Sequence, residues 1–416
     1  MERAILVTVD LGKETEWSAG ERSQGLAELA VSGGAKIVKE EIVKRDNPNP
    51  AYFIGSGKAI EIAALCADEH ADTVIFNNDL SGTQQKNLED VMRKKVVDRT
   101  QLILDIFARH AHSNEGKVQV ELAQLLYMLP RLTGKGVQLS RLGGGIGTRG
   151  PGEQKLEMDR RRIRTRIVKL KNELETLRER RGMMRKKRER FSLVTAAIIG
   201  YTNVGKSTLL NALTSSDVIV QDKLFSTLDP TVRKFILPNK QKILFIDTVG
   251  FLVHLPHHLI EAFKATLEEV VDADLLLHVV DVSHPKMREQ VAAVYKVLEE
   301  IGAHDKKIIT VVNKIDKLTE PSVLERAMSY FDNAVAISAL KREGFDALVD
   351  SLIGHIRGFI ARLEITIPQT DTRTLNLIYE NGFVTKADYE GQEIHIEAEV
   401  PLRIRDILAK GPYKIS

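Results

Sequence analysis

The octapeptide Gly200-Tyr201-Thr202-Asn203-Val204-Gly205-Lys206-Ser207 restricts the possible folds more than any other stretch of the chain. It fits G-x-x-x-x-G-K-S, the phosphate-binding loop. It follows the apolar run Ala196-Ala197-Ile198-Ile199 and precedes a helical run from Ser207 to Leu213. Strand, glycine turn and helix in that order aim backbone N–H groups at the α- and β-phosphates of a nucleotide. Lys206 can reach the β- and γ-phosphates and Ser207 can offer its hydroxyl to Mg²⁺, with Thr208 beside it in the expected contact set. Taken alone, the motif does not separate ATP from GTP.

Further motifs at the ends of predicted strands make that separation. Phe225-Ser226-Thr227-Leu228-Asp229 falls in a loop, with Thr227 20 residues beyond Ser207. A threonine there can place its hydroxyl on Mg²⁺ and its amide on the γ-phosphate; Thr227 is chosen, with Thr231 the alternative. Lys242 to Ile246 reads as a buried strand ending in Asp247-Thr248-Val249-Gly250. Asp247 can hold Mg²⁺ through its water and the Gly250 amide can meet the γ-phosphate, which makes Lys206, Thr227 and Gly250 the expected catalytic set. Ile308 to Val312 leads to Asn313-Lys314-Ile315-Asp316. The Asp316 carboxylate can accept from guanine N1–H and N2–H₂, a donor pair adenine lacks, so the reading is GTP and GDP rather than ATP. Asn313 would tie the base loop to the phosphate loop, the Lys314 stem would cover the base, and the Ser338-Ala339-Leu340 backbone would meet guanine O6.

One position departs from the Ras-like template. Phe251 stands where a water-orienting glutamine is usual, and a phenyl ring cannot position water by hydrogen bonding. Slow intrinsic hydrolysis is expected unless a partner or ion supplies the missing electrostatics. Asn203 is a candidate seat for K⁺. His254, His257 and His258 are read as solvent or partner contacts rather than a metal cluster, for want of a nearby uncommitted carboxylate.

Charge is unevenly placed. The chain carries only +3 overall, yet Glu153 to Arg190 holds 16 Lys/Arg against 7 Asp/Glu, leaving −6 for the remainder. Apolar residues Ile163, Ile167, Leu170, Leu174, Leu177 and Met184 step through this segment at heptad spacing, predicting a long helix. Thr100 to Leu132 reads as its antiparallel partner, with Ser113-Asn114-Glu115-Gly116 a possible interruption. The connector, 133–152, holds eight glycines, the bases Lys135, Arg141 and Arg149, and no acid. Glycine lets backbones approach closely, so this tip, with Gly143, Gly144 and Gly145 at its centre and Arg160, Arg161, Arg162 and Arg164 behind it, is read as an RNA-binding arm.

The whole is predicted as α/β. A P-loop GTPase domain (193–360) is joined to an N-terminal α/β domain (1–99), a long antiparallel helical hairpin (100–192) and a small C-terminal α/β domain (361–416). In the N-terminal part, Ile60, Ala63, Ala64 and Ala67 are expected on one helix face, and Gly55-Ser56-Gly57-Lys58 is read as a glycine turn with Ser56 capping the helix. The single cysteine, Cys66, excludes intramolecular disulfides and suits a reducing compartment. No apolar run approaches the ~20 residues of a membrane-spanning helix, and a cytoplasmic protein is expected, monomeric rather than stably oligomeric.

With these motifs in hand the chain resembles the HflX family of translational GTPases, kin to the Obg group. The resemblance is carried by Tyr52 to Lys58, Asp98-Arg99-Thr100, Val120 to Leu125, Gly143 to Glu153, Phe225 to Thr231 and Asp247 to Phe251. It is weakest after Leu363. It implies binding to the large ribosomal subunit and its rRNA, with the glycine tip directed toward the peptidyl-transferase region, and GTP-dependent splitting or rescue of stalled ribosomes. Phe251 is what this family carries. Two other readings compete: an ATP-driven RNA helicase using Gly55 to Lys58, and a GTPase that signals to proteins alone.

Overall fold

The computed structural model describes residues 1–12, 17–134, 151–190, 194–214, 231–239, 241–251 and 267–413, with only the backbone described for 133–134, 151–156, 184–190 and 403. The tip residues Lys135, Arg141, Gly143, Gly144, Gly145 and Arg149 lie outside the described residues. So do Phe225, Ser226, Thr227, Leu228, Asp229 and the three histidines His254, His257 and His258. The chain forms two compact units, one dominated by Met1–Leu177 and one by Arg178–Val220, Pro230–Val253 and Ala265–Ser416.

In the first unit, strands β1 (Glu2–Asp10), β2 (Ala35–Lys44), β3 (Thr73–Phe76) and β4 (Lys95–Asp98) form a parallel sheet in the order β2-β1-β3-β4. Helices α1 (Ala19–Ser32), α2 (Ser56–Asp68) and α3 (Gly82–Met92) supply the crossovers. The inward face of α2 is Ala59, Ile62 and Cys66, while Ile60 is exposed. Ile60, Ala63, Ala64 and Ala67 do share a helix face, but it is not the one turned to the sheet. Alanines offer little contrast around the helix, and the sheet selects the face carrying Ile62. Helix α4 (Arg99–His110) packs on α1, β3 and β4, and ends before Ser113, whose hydroxyl accepts from Gly116 N and caps α5 (Asn114–Met128). The interruption foreseen in the run from Thr100 is thus a helix boundary.

Helix α5 lies antiparallel to the first half of α6 (Pro151–Arg190): Asn114 faces Glu173 and Glu121 takes both arms of the Arg166 guanidinium, at 2.6 and 2.7 Å. Val118, Leu122, Ile167 and Leu170 close between them. The end of α5 that leads into the connector is pinned by a buried carboxylate. Asp98 caps α4 through Gln101 N, accepts from Leu80 N, and takes an ion pair from Arg131 at 2.9 Å. Burial pushes the Asp98 carboxyl upward while these donors hold it down. The Arg131 guanidinium also stacks 3.4 Å over the Tyr127 ring.

In the second unit a six-stranded sheet runs β10-β9-β8-β5-β7-β6, from β5 (Val194–Gly200), β6 (Thr231–Ile236), β7 (Lys242–Asp247), β8 (Leu275–Asp281), β9 (Lys307–Asn313) and β10 (Ala334–Ala336). Only β6 is antiparallel, and β8 is buried along its whole length. Parallel strands covered on both faces read as continuous apolar runs, which is why these were legible. Helices α7 (Lys206–Thr214), α8 (Met287–Glu300), α9 (Pro321–Met328) and α10 (Phe345–Ile356) accompany the sheet. A three-stranded antiparallel sheet follows, β11 (Ile360–Pro368), β12 (Phe383–Glu390) and β13 (Glu393–Pro401) in the order β11-β13-β12, with α11 (Thr372–Asn381) and α12 (Leu402–Ala409). It meets the hairpin β6–β7 where Lys242 donates to the Glu380 carbonyl at 2.6 Å, beside a cavity of about 350 Å³.

Breaking the Asp98 pair by Asp98→Ala strands a partly buried guanidinium. About 2–3 kcal/mol of local stability should be lost, less than for a sealed pair because Arg131 is 20% exposed. Hydrogen exchange in β4 and α4 measures this; unchanged protection there would contradict it.

Candidate nucleotide site

The site is assembled at the carboxyl ends of β5, β7, β8 and β9, where the phosphate and base loops leave adjacent strands of one parallel sheet. Gly200 and Gly205 both adopt positive φ, +150° and +98°. A Cβ on Gly200 would stand 2.3 Å from the Val279 carbonyl, and one on Gly205 would stand 2.4 Å from the Asn313 amide nitrogen. The two glycines of the motif are thus dictated by close approach from neighbouring strands as well as by the turn.

Asn313 joins the two loops. Its side-chain amide donates to the Val204 carbonyl at 2.8 Å, and its side-chain oxygen accepts from Ala339 N at 2.9 Å. Asp316, two residues past Lys314, accepts from the Ser338 hydroxyl at 2.6 Å, which orients the carboxylate proposed to read guanine. Lys314 has φ +66° and sends its ammonium to the Asn203 carbonyl at 2.7 Å. Leu340 is exposed and Ser338 and Ala339 are buried. Asn313, Lys314, Asp316, Ser338, Ala339 and the phosphate loop are therefore brought together, with Ile315 opening the short turn 315–317 between them.

At the phosphate end, Lys206 is buried and donates to the carbonyls of Gly200 at 3.2 Å and Tyr201 at 2.7 Å. Burial lowers its pKa to about 8, against the pull of the Asp247 carboxylate. The Ser207 hydroxyl donates to Asp247 at 2.8 Å, so two of the three oxygens expected around Mg²⁺ stand side by side. Hard oxygen donors of this kind fit Mg²⁺. Of the two threonines weighed for the third, Thr231 begins β6, with its partner across the ladder being Asp247. Thr248 donates its hydroxyl to the Ile198 carbonyl, tying β7 to β5. Gly250 lies against the phosphate lysine: a Cβ there would be 2.9 Å from Lys206 Nζ.

Three features escaped the reading of the sequence. Phe251 is a core residue, not merely an absent glutamine: it is 2% exposed, its N–H donates to the Gly200 carbonyl, and its carbonyl accepts from Thr202 N. These bonds knit the end of the segment Asp247 to Phe251 to the phosphate loop. Asp281, at the end of β8 opposite Asn313, pairs with Lys314 at 2.7 Å. Its position at a strand end beside the base loop was the available signal. His278, in the middle of β8, is 1% exposed and meets the edge of Tyr295 with ring centroids 5.5 Å apart; a lone histidine in an apolar strand carries no signal of its own.

Away from this site, Lys58 is held by Glu41 at 3.3 Å and Glu61 at 2.5 Å, and Arg45 donates to the Ile54 carbonyl over Gly55. Gly55, at φ +87°, occupies the cap position of α2 and Ser56 is its first residue, so Ser56 does not cap the helix as expected. Of the arginines assigned to the RNA arm, Arg161, Arg162 and Arg164 are exposed and Arg160 is half-buried. Among the described residues, Arg162 and Arg164 make loose pairs, each 3.9 Å, with Asp159 and Glu157. Among the described residues no cluster of three or more His, Cys, Asp or Glu could hold a metal.

Comparison with known proteins decides the family. Family models described as GTP-binding GTPase N-terminal, GTP-binding GTPase middle region, 50S ribosome-binding GTPase and HflX C-terminal domain match residues 21–108, 110–188, 195–314 and 322–405. The GTPase HflX of Caldanaerobacter subterraneus subsp. tengcongensis is 48% identical over 407 residues, 98% of this chain and 93% of the relative. The chain belongs to the HflX family of GTPases. The Escherichia coli GTPase HflX is 39% identical over 404 residues, covering 96% and 94% of the two chains. A solved structure described as SsGBP in complex with GDP superposes with a TM-score of 0.51 at 27% identity, covering 85% of this chain and 98% of that one. HflX membership makes the chain a GTPase with a P-loop core.

The buried His278 gives a pH signature. Burial, aided by the nearby Lys206 charge, lowers its pKa to about 3, so it stays neutral in the fold while the unfolded chain takes up a proton below about pH 6.5. Stability should therefore fall as pH drops from about 6.5 toward 3. Between pH 6.5 and 5 the loss from this group is about 2 kcal/mol. His278→Leu should remove that part of the slope in urea titrations; an unaltered slope would refute the assignment.

Proposed function

We propose that this GTPase reads guanine through Asp316 and couples its nucleotide state to association with the large ribosomal subunit. The observation that carries the first half is the Asn313–Val204 and Asn313–Ala339 bridge, which holds the base-reading carboxylate and the phosphate loop in one geometry. Lys206 exchanges its loop carbonyls for β- and γ-phosphate oxygens, and the Gly250 amide, uncluttered by a Cβ, meets the γ-phosphate. Ser207 and Thr227, with Asp247 through water, would hold Mg²⁺, which neutralises charge between the β- and γ-phosphates. The Phe251 ring, sealed in the core, takes no part in positioning water. Hydrolysis is slow until ribosomal contact, or a K⁺ ion seated at Asn203, supplies the missing electrostatics.

The second half is supported by charge and by family. Residues 195–314 match a model described as a 50S ribosome-binding GTPase. Helix α6 presents exposed Arg161, Arg162 and Arg164 on an otherwise acidic chain, and it begins where the basic glycine tip ends. Such a one-signed surface binds phosphate backbone in a salt-dependent way. Splitting or rescue of stalled ribosomes is the action we assign to the GTP-bound form. The helicase reading is disfavoured by Lys58, which is engaged by two carboxylates rather than turned to a phosphate site.

Cosedimentation with large subunits in GTP, a non-hydrolysable analogue and GDP tests the coupling; equal binding in all three would end it. Deleting residues 143–150 should leave GTP affinity unchanged and lower particle binding at least tenfold at physiological salt. Asp316→Asn should shift preference from GTP toward xanthosine triphosphate in competition assays, and wild-type GTP affinity in that variant would remove Asp316 from its role.

A further inference from the structure

Asp281 is a charged residue placed at the nucleotide site with no part in reading base, phosphate or metal. One carboxylate oxygen accepts from the backbone N–H and hydroxyl of Ser283, at 3.0 and 2.6 Å, closing a turn after β8. The other stands 2.7 Å from Lys314 Nζ. The same ammonium donates to the Asn203 carbonyl of the phosphate loop at 2.7 Å. Lys314 is therefore anchored at two points, and its stem is drawn across the space between the base loop and the phosphate loop.

We infer that Asp281 is a positioning residue that holds the Lys314 stem in place over the bound guanine nucleotide and so slows nucleotide release. The inference rests on the reading of Lys314 as the cover of the base. A lysine stem is four methylenes long and gives up much of its rotamer freedom when it is fixed. A neutral carbonyl alone is a weak anchor for it, whereas a carboxylate already fixed by two donors is a preorganised one. The pair is also sheltered, with side-chain exposures of 11% for Asp281 and 19% for Lys314, so water and salt screen it less than a surface bridge. The register explains why the contact forms: Asp281 and Asn313 are opposite one another across β8 and β9, which places the residue after Asn313 beside the end of β8. Because Lys314 contacts neither the γ-phosphate nor the guanine edge in this scheme, GTP and GDP should be affected alike and the choice of base should not change.

The test is the release rate of a fluorescent GDP from the full-length protein. Asp281→Asn should speed release about tenfold, the scale of one charge-assisted hydrogen bond. Lys314→Ala should speed it at least as much, and adding Asp281→Asn to Lys314→Ala should change nothing further. Asp281→Glu should restore part of the slow release, and the GTP-to-xanthosine-triphosphate ratio should stay at its wild-type value in Asp281→Asn. Wild-type release in Asp281→Asn overturns the inference. So does a full additional tenfold in the Lys314→Ala background, which would show Asp281 acting on the fold alone. If Asp281→Asn does not fold, Ser283→Ala loosens the same carboxylate without removing its charge; it should speed release two- to threefold in the wild type and not at all in Lys314→Ala, and an equal effect in both overturns the proposal. Asp316→Asn run alongside separates the two failures: unchanged GTP affinity there sinks the guanine pocket itself, whereas a normal Asp316→Asn response beside a silent Asp281→Asn sinks only the role of Asp281.

Discussion

The structure of the nucleotide site hangs on the side chain of Asn313, a buried amide that donates to one loop and accepts from another. Two loops emerging from different strands have no intrinsic reason to keep a fixed separation. A buried amide satisfied at both ends removes that freedom, because breaking either bond would leave a polar group unpaired in a dry interior. Gly205 is the necessary counterpart: any side chain there would occupy the space of the Asn313 amide. Motif residues more than a hundred positions apart are thus one constraint seen from two sides.

Charge at this site is balanced by burial as much as by pairing. Lys206 is surrounded by backbone carbonyls, with Asp247 the acid that raises its pKa against desolvation. Its field reaches His278 on the next strand and helps keep that imidazole neutral. Lys314, the second lysine of the site, is instead given a carboxylate partner of its own. A cation meant for a ligand's phosphate would have to be left unneutralised by the protein, while one that serves as scaffold would not. The two lysines differ in their surroundings along that line.

The residues of the nucleotide site and the surface rich in arginine are carried on different elements. The phosphate loop and the Asn313-to-Asp316 loop leave β5 and β9, which with β7 and β8 are buried over most of their length, a rigid support for short polar turns. The cationic surface is carried on a helix whose first half needs only one apolar seam, against α5, leaving the rest of its circumference free for arginines. A surface helix can take an excess of one sign because each charge remains hydrated. A parallel-sheet core cannot.

Much of this was written locally along the chain. The strands of the GTPase core, the phosphate loop, the guanine motif and the basic helix depend on residue type and short-range spacing, and a buried parallel strand announces itself as an apolar run. Turn chemistry set the break before α5 at Ser113 in the same way. What tertiary structure alone decided were the matters of neighbourhood: which face of the alanine-rich α2 turns inward, that Phe251 is stitched to Gly200 and Thr202, that Asp281 meets Lys314, and that Lys58 is claimed by Glu41 and Glu61. Each depends on the register between elements distant in sequence. Register is chosen by the packing of whole faces, a quantity no single stretch of sequence contains.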